Sequence, residues 1–244
     1  QNFKEKNYTT TEKSTFIEEN KKVALMDDYV SGNWWVQDFS SMLPLYLSPE
    51  IKGKSVIDLC SAPGGKAFQA ISMGANVILN DKNNKRIKLL KNNLNRLKYE
   101  TKIINKNVLD LEENIKYDIV ILDAPCSGIG TIRRNPEILF KKNSPNFKYL
   151  IKLQEDLILK ASKLLNPKGI LIYMVCSFFY EETASQKEKF LKNNRNFRKK
   201  FFETKKSSHL NEYINSIGEI FCTPSKYNKY MIDGFYAVKF IRDV

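Results

Sequence analysis

Histidine is almost absent. The 244 residues hold one, His209, so chemistry that needs two imidazoles and any His-rich metal site are excluded. Cysteine is sparse: Cys60, Cys126, Cys176 and Cys222 lie far apart and form no CxxC pair. Neither a zinc ribbon nor a disulfide framework is indicated. No apolar run approaches the ~18–20 residues that span a bilayer. Residues 1–22 are polar and charged, with no signal-peptide core, so a cytoplasmic location is expected. No GxxxxGK[ST] occurs, which excludes a Walker loop. No internal repeat and no Pro/Gly/Ser linker divides the chain.

What is present begins with a core. Hydrophobic residues make up 42% and aromatics 12%, enough to bury a real interior and to exclude global disorder. The charge is +13, from 40 Lys and Arg against 27 Asp and Glu. That balance suits a polyanionic partner such as nucleic acid. Lysine outnumbers arginine 33 to 7, however, and Asn and Ile are abundant. A compositional bias of that kind raises the charge without any function, so both readings stand at this point.

Residues 1–22 have little apolar periodicity, and the chain opens on Gln1 rather than Met. They read as an arm or the tail of a preceding segment. From Ser55 the pattern alternates. Short apolar runs at Ser55–Leu59, Asn76–Asn80, Lys102–Asn105, Asp118–Leu122 and Ile170–Val175 predict buried strands. Between them, Lys66–Met73, Lys85–Leu97, Leu150–Leu165 and Glu181–Asn193 read as helices. Ile87, Leu90, Leu94 and Leu97 recur at helical spacing. Asn166-Pro167-Lys168-Gly169 is expected to break the helix before it. Phe197–Phe202 and Gly234–Ile241 resemble a closing hairpin. Continuously apolar strands alternating with helices indicate a parallel, doubly wound α/β sheet. In such sheets ligands bind beyond the carboxyl ends of the strands.

Those ends carry the chemistry-bearing residues. The first strand leads into Cys60-Ser61-Ala62-Pro63-Gly64-Gly65-Lys66, a turn that opens a helix. Its glycines admit a close ligand, and the helix start offers free N–H groups to an anion. A purely structural turn would look the same. Asp81 ends the next strand, where an acid can bond both hydroxyls of a ribose; a solvated strand-end Asp is the alternative. Asp123 leads into Pro125-Cys126-Ser127-Gly128, and Cys176 ends a later strand. Free Cys is usually a small buried hydrophobe. Two at carboxyl ends of strands, beside a nucleoside site, have a defined use. A thiolate adding to C6 of a pyrimidine activates C5 towards an electrophilic methyl group, and a second group assists release. The thiol needs a lowered pKa, which nearby Lys or Arg could supply. Cys222 has no such context.

Three stretches, DLCSAPGGK (58–66), LDAPCSGIGTIRRNPEI (122–138) and YMVCSFFYEET (173–183), resemble the signature motifs of RNA 5-methylcytosine methyltransferases of the NOL1/NOP2/Sun group. The resemblance is narrowest to the bacterial 16S rRNA cytosine-C5 methyltransferases of the RsmB/Sun type. Trp34, Val36, Gln37 and Asp38 with Ser40-Ser41, and Asp233-Gly234-Phe235-Tyr236, are similar to flanking motifs of that family. The likeness runs from about Trp34 to Ile241.

The resemblance implies a Rossmann-like class I methyltransferase with a mostly parallel seven-stranded sheet and helices on both faces. Residues 34–244 would be its catalytic domain, and residues 1–33 an arm or remnant of a preceding segment. S-adenosylmethionine would be held by Cys60–Lys66, with Asp81 on its ribose and Asn107 on its adenine. The family usually has Asp where Asn107 stands, and Asp110 is the substitute candidate. Cys176 would be the nucleophile and Cys126 would assist product release. Asp123 would touch cofactor and base, and Lys66 would polarise one of them. Arg133 and Arg134 are candidates for RNA phosphates; a solvated charge pair is the alternative. Val175 stands where Thr usually precedes the nucleophile, and Glu181-Glu182-Thr183 replaces Glu-Glu-Asn. The expected partner is RNA, most simply 16S rRNA with an unpaired or flipped cytosine, acted on by a monomer; tRNA is the alternative target. DNA cytosine-C5 methyltransferases use the Pro-Cys thiol as nucleophile and need no second Cys, so the pair favours the RNA class. A non-catalytic RNA-binding module and a small-molecule methyltransferase are the remaining alternatives.

Overall fold

A computed structural model describes residues 9–11, 14–15, 17, 22–140, 146–204, 209–227 and 230–243. Two short strands, β1 (Thr9–Thr11) and β2 (Ser14–Thr15), pair with each other. The helices α1 (Asp27–Val30) and α2 (Phe39–Tyr46) follow. The alternating unit then runs β3 (Ser55–Asp58), α3 (Gly65–Ser72), β4 (Asn76–Asn80), α4 (Asn84–Leu97), β5 (Ile103–Ile104), β6 (Tyr117–Asp123), α5 (Phe147–Lys163), β7 (Leu165–Val175) and α6 (Ala184–Asn193). It closes with β8 (Phe197–Lys200), β9 (Ile220–Cys222), β10 (Ser225–Tyr227), β11 (Tyr230–Ile232) and β12 (Phe235–Arg242).

The central sheet has the order β5-β4-β3-β6-β7-β12-β8, seven strands in line, and β9 adds an eighth against β12. From β5 to β7 all neighbours are parallel, while β12 is antiparallel to β7, β8 and β9. The expected sheet is therefore present with one extra short strand. The chain feeds β3 from the middle and builds outward both ways, so β3 and β6 flank the switch point where ligands bind in such sheets.

Alternation along each strand makes two cores. Val56, Ile119, Ile121, Ile172 and Met174 face one side with Leu43, Phe68, Leu90 and Leu94. Ile57, Val120, Leu122, Leu171, Tyr173 and Val175 face the other with Leu157, Ile158 and Phe190. Helices α2, α3 and α4 thus cover one face, and α5 and α6 the other. Side chains that alternate at period 2 on both faces explain why these strands are continuously apolar.

Three details depart from expectation. Asn166–Gly169 follow the end of α5 at Lys163, as expected of a helix break, but the strand begins at Leu165 rather than Ile170. Those residues belong to β7, as an irregularity in which pairing with β6 jumps from Tyr117–Leu165 to Ile119–Ile170. Lys168 adopts φ 60° there, and Asn166 donates to Asp118. Second, β8 and β12 do pair, but β9 to β11 intervene, so they are not a hairpin. Third, the stretch before Trp34 is partly docked. Arg96 on α4 donates to the carbonyls of Tyr29 (2.5 Å) and Trp34 (2.9 Å), and its guanidinium lies 3.8 Å from the Tyr29 ring centroid. Most of residues 1–22 lie outside the described residues, as do residues 141–145 and 205–208.

Candidate active site

The carboxyl ends of β3, β4, β6 and β7 meet at one edge. The turn after β3 reaches α3 through Gly64 at φ 120°, a conformation that favours glycine. No side chain caps α3 at Gly64. Asp81, at the end of β4, is buried and accepts from the N–H groups of Ala62 (3.2 Å) and Asn83 (2.9 Å). Arg86 lies 3.6 Å from the same carboxylate and donates to the Ala62 carbonyl. Asp81 and the Cys60–Lys66 turn are thus brought together. Asn107 is exposed and caps a short 3-10 turn by accepting from Leu109 N–H (3.3 Å), with Asp110 on the same turn.

Asp58 was not singled out in the sequence. It is buried, and its Oδ1 has no hydrogen-bond partner among the described residues. Burial first, then the Asp123 charge, push its carboxyl up to about 7. Burial and the Asp58 charge push the Cys60 thiol well above its ordinary value, which makes Cys60 an unreactive wall of the turn.

Beside them the reactive residues converge. Lys66 Nζ donates to Asp123 Oδ2 at 2.7 Å and lies 5.2 Å from the Phe235 ring centroid. Burial works against the ammonium charge, but Asp123, with Cys176 and Asp58 behind it, more than offsets it, so Lys66 is held protonated. Cys126 Sγ and Cys176 Sγ are 3.3 Å apart. The pair is asymmetric. Cys176 is lowered by the hydrogen bond from Cys126; burial and Asp123 oppose this, and Lys66 assists it. Cys126 is raised by giving that bond, by burial and by the Glu182 and Asp123 carboxylates. Of the two thiols, Cys176 is thus the more acidic. Cys222 is buried in β9, its thiol pushed up to about 12 by burial.

The loop carrying Cys126 is clamped from below. Glu182, fully buried, accepts from Ser127 N–H (2.7 Å), Ser127 Oγ (2.6 Å) and Gln154 Nε2 (3.1 Å). Gln154 also donates to the Pro125 carbonyl, and the Tyr173 hydroxyl donates to the Glu182 carbonyl. Gly130 donates its N–H to the Cys176 carbonyl (3.0 Å) and accepts from Gly234 N–H (2.8 Å). A Cβ at Gly130 would meet the Gly234 carbonyl oxygen at 2.0 Å, so only glycine fits. Glu182 stood in the sequence as part of a departure after the Cys176 motif. Nothing local signalled that it reaches back 55 residues to Ser127.

Arg133 and Arg134 are placed beside this loop, but not free. Arg133 bridges Asp38 (3.6 Å) and Asp233 (3.2 Å), and Arg134 Nε donates to Asp233 at 2.6 Å. Asp233 is buried. The Arg133 side chain is 25% exposed and that of Arg134 54%. Arg133 is thus a tie between the three segments, and only Arg134 keeps a face towards solvent.

A family model for the 16S rRNA methyltransferase RsmB/F matches residues 44–241. The chain belongs to the RsmB/F methyltransferase family. Ribosomal RNA small subunit methyltransferase B of Pasteurella multocida is 34% identical over 183 residues, covering 70% of this chain and 41% of that protein. Human 28S rRNA (cytosine(4447)-C(5))-methyltransferase is 33% identical over 166 residues, covering 64% and 20%. Among solved structures, PH0851 is 26% identical with a TM-score of 0.78 over 90% of this chain and 49% of that one. NSun6 from Pyrococcus horikoshii, solved with SFG, has the same fold at 22% identity: TM-score 0.75, over 90% of this chain and 56% of that one. This RsmB/F chain spans less than half of the Pasteurella relative. Among its described residues no helix is long and apolar enough to cross a membrane, and no His/Cys/Asp/Glu group could hold a metal.

Proposed function

We propose that this RsmB/F chain transfers a methyl group from S-adenosylmethionine to C5 of a cytosine in RNA, through a covalent bond from Cys176 to C6. The observation that carries the proposal is the Cys126–Cys176 pair, 3.3 Å apart and split in acidity, beside Lys66 and Asp123. The residues present fit a group bearing a ribose and a positive charge. Asp81 is a buried acid at a strand end, Asp58 Oδ1 is buried without a hydrogen-bond partner among the described residues, and the start of α3 has no side-chain cap. The turn Cys60–Lys66, Asp81 and Asn107 or Asp110 would hold it; when bound, it supplies an electrophilic methyl.

The chain's own residues divide the remaining work. The Cys176 thiolate would form a bond to C6, and the C5–C6 π pair moves to C5, which takes the methyl as the bond from that methyl to the donor sulfur breaks and leaves its pair on the sulfur. Asp123 accepts from the base amino group, and Lys66 holds that carboxylate and stabilises charge on the ring. Loss of the C5 proton to water returns that C–H pair to the ring as the C5–C6 double bond, the C6–S bond breaks with its pair on sulfur, and Cys126 assists release by donating its hydrogen bond to the re-formed Cys176 thiolate. The target cytosine must be out of its stack to reach Cys176. Relatives named as small-subunit and 28S rRNA methyltransferases favour rRNA as the substrate. A half-exposed Arg134 is the phosphate contact.

Incubation with S-adenosylmethionine and a cytosine-bearing RNA tests the assignment on a denaturing gel. Cys126→Ala should accumulate a covalent RNA adduct, and Cys176→Ala should form none. The reverse pattern overturns it and returns the chain to the DNA-type arrangement.

A further inference from the structure

The segment that follows Cys176 carries rings the proposed chemistry does not use. Phe178 is part-buried, and its ring packs against Gly234 so closely that a Cβ there would meet Phe178 Cδ1 at 2.8 Å. Phe179 stands edge to face on Phe178, with centroids 5.6 Å apart and planes at 69°. Phe147, at the start of α5, stands edge to face on Phe179 at 5.7 Å and 85°. Phe147 is 37% exposed and Phe179 38%. With over a third of each residue open to solvent while the rings pack edge to face, the two form an exposed aromatic ledge.

The ledge begins at the nucleophile. Gly234 is bonded to Gly130, and Gly130 to the Cys176 carbonyl, so Phe178 is rooted in the same loops that hold Cys176. Phe179 is three residues beyond Cys176, hence within about 11 Å of it along the backbone. Drawing a base out of a single strand leaves its neighbours with an unstacked face, and aromatic side chains replace that stacking in RNA-binding proteins. The chain is strongly cationic, at +13, which suits a polyanionic partner.

We infer that Phe147 and Phe179 stack the RNA bases flanking the target cytosine, so that they hold the strand while the target is extruded towards Cys176. This rests on the reading above that the substrate is RNA. The rings are positioning residues for the substrate, with no part in bond making.

The test uses a single-stranded RNA with one cytosine flanked by purines, and the same RNA with abasic residues on both sides of that cytosine. Affinity is read by fluorescence anisotropy, and KM and kcat by methyl transfer. Phe147→Ala with Phe179→Ala should weaken binding of the intact RNA roughly thirtyfold, at the low end for the loss of two stacked bases. KM should rise accordingly and kcat hold, and Phe179→Trp should bind as the parent. On the abasic RNA, parent and double variant should be equal. Unchanged affinity for the intact RNA overturns the inference, as does an equal loss on both RNAs, which would mark the rings as merely structural. A parent dimer that the double variant loses, with RNA affinity intact, assigns the ledge to a second copy and also overturns it. Methyl transfer by the parent separates these failures from failure of the proposed function; a parent that neither binds nor methylates either RNA overturns both.

Discussion

Two buried charge clusters in this chain look alike in composition and differ in how they are closed. One surrounds Glu219, on the stretch entering β9. Its Oε1 takes Lys187 at 2.8 Å and Lys199 at 3.5 Å, and its Oε2 accepts from the Tyr236 hydroxyl at 3.2 Å. Both oxygens are engaged, and the cluster joins α6, β8 and β12. The other surrounds Lys66. Asp123 is part-exposed, Asp58 keeps an oxygen without a hydrogen-bond partner among the described residues, and two thiols face each other. A saturated buried cluster has one stable state and serves the fold. An open one leaves groups poised for something else, at the expense of stability.

Removing the key residue of each cluster separates the two. Cys176→Ala should abolish methyl transfer while the thermal midpoint stays within a degree or two, since a part-exposed thiol contributes little packing. A variant that turns over, or that unfolds, breaks the contrast. Glu219→Ala should do the opposite. It strands Lys187 in the interior, and breaking a buried pair costs about 3–5 kcal/mol, read by urea denaturation. The surviving folded fraction should keep its turnover per molecule.

The open cluster has a pH signature. In the unfolded chain Asp58 releases its proton near pH 4, and in the folded chain near 7. Between those values the native state holds a proton that the unfolded chain has lost. Its stabilising contribution is therefore complete below about pH 4 and fades as pH rises towards 7. At about 1.4 kcal/mol per unit the fall is a few kcal/mol. Asp58→Asn should flatten that slope in denaturation series from pH 4.5 to 7.5. An identical slope in both proteins would remove Asp58 from the open cluster.

The smallest effect concerns the two arginines. Arg134→Ala should reduce the slope of log affinity against log salt by about one. Arg133→Ala, bound between Asp38 and Asp233, should leave the slope unchanged and lower stability instead. Equal slopes for both variants and the parent would make the pair structural throughout.

Much of this was legible along the chain. Apolar runs of four to six residues located the parallel strands, because a strand buried on both faces needs no polar alternation. Motifs at strand ends located the edge that carries Asp81, Asp123 and Cys176, because the carboxyl ends of parallel strands share one side of the sheet. What stayed hidden were contacts between segments far apart. Asp233 lies 99 residues from Arg134, so two arginines read as free are largely tied down. Glu182 lies 55 residues from Ser127, so a residue read as a helix start is the floor of the Cys126 loop. The Asn166–Gly169 turn was absorbed into β7 because the register with β6 admits a bulge there.

The amino-acid order by itself determined which residue types arrive at the functional edge: a Gly-Gly-Lys turn, three acids and two thiols, on a chain with too little His or clustered Cys for other chemistry. Only the tertiary structure decided which thiol carries the charge. Cys126 and Cys176 are the same side chain with the same intrinsic acidity. The difference arises first because packing sets the two thiols 3.3 Å apart, so that Cys126 gives the hydrogen bond that Cys176 receives, and then because the Glu182 carboxylate disfavours charge on Cys126 while the Lys66 ammonium favours it on Cys176; electrostatic energy depends on distance through space rather than along the chain.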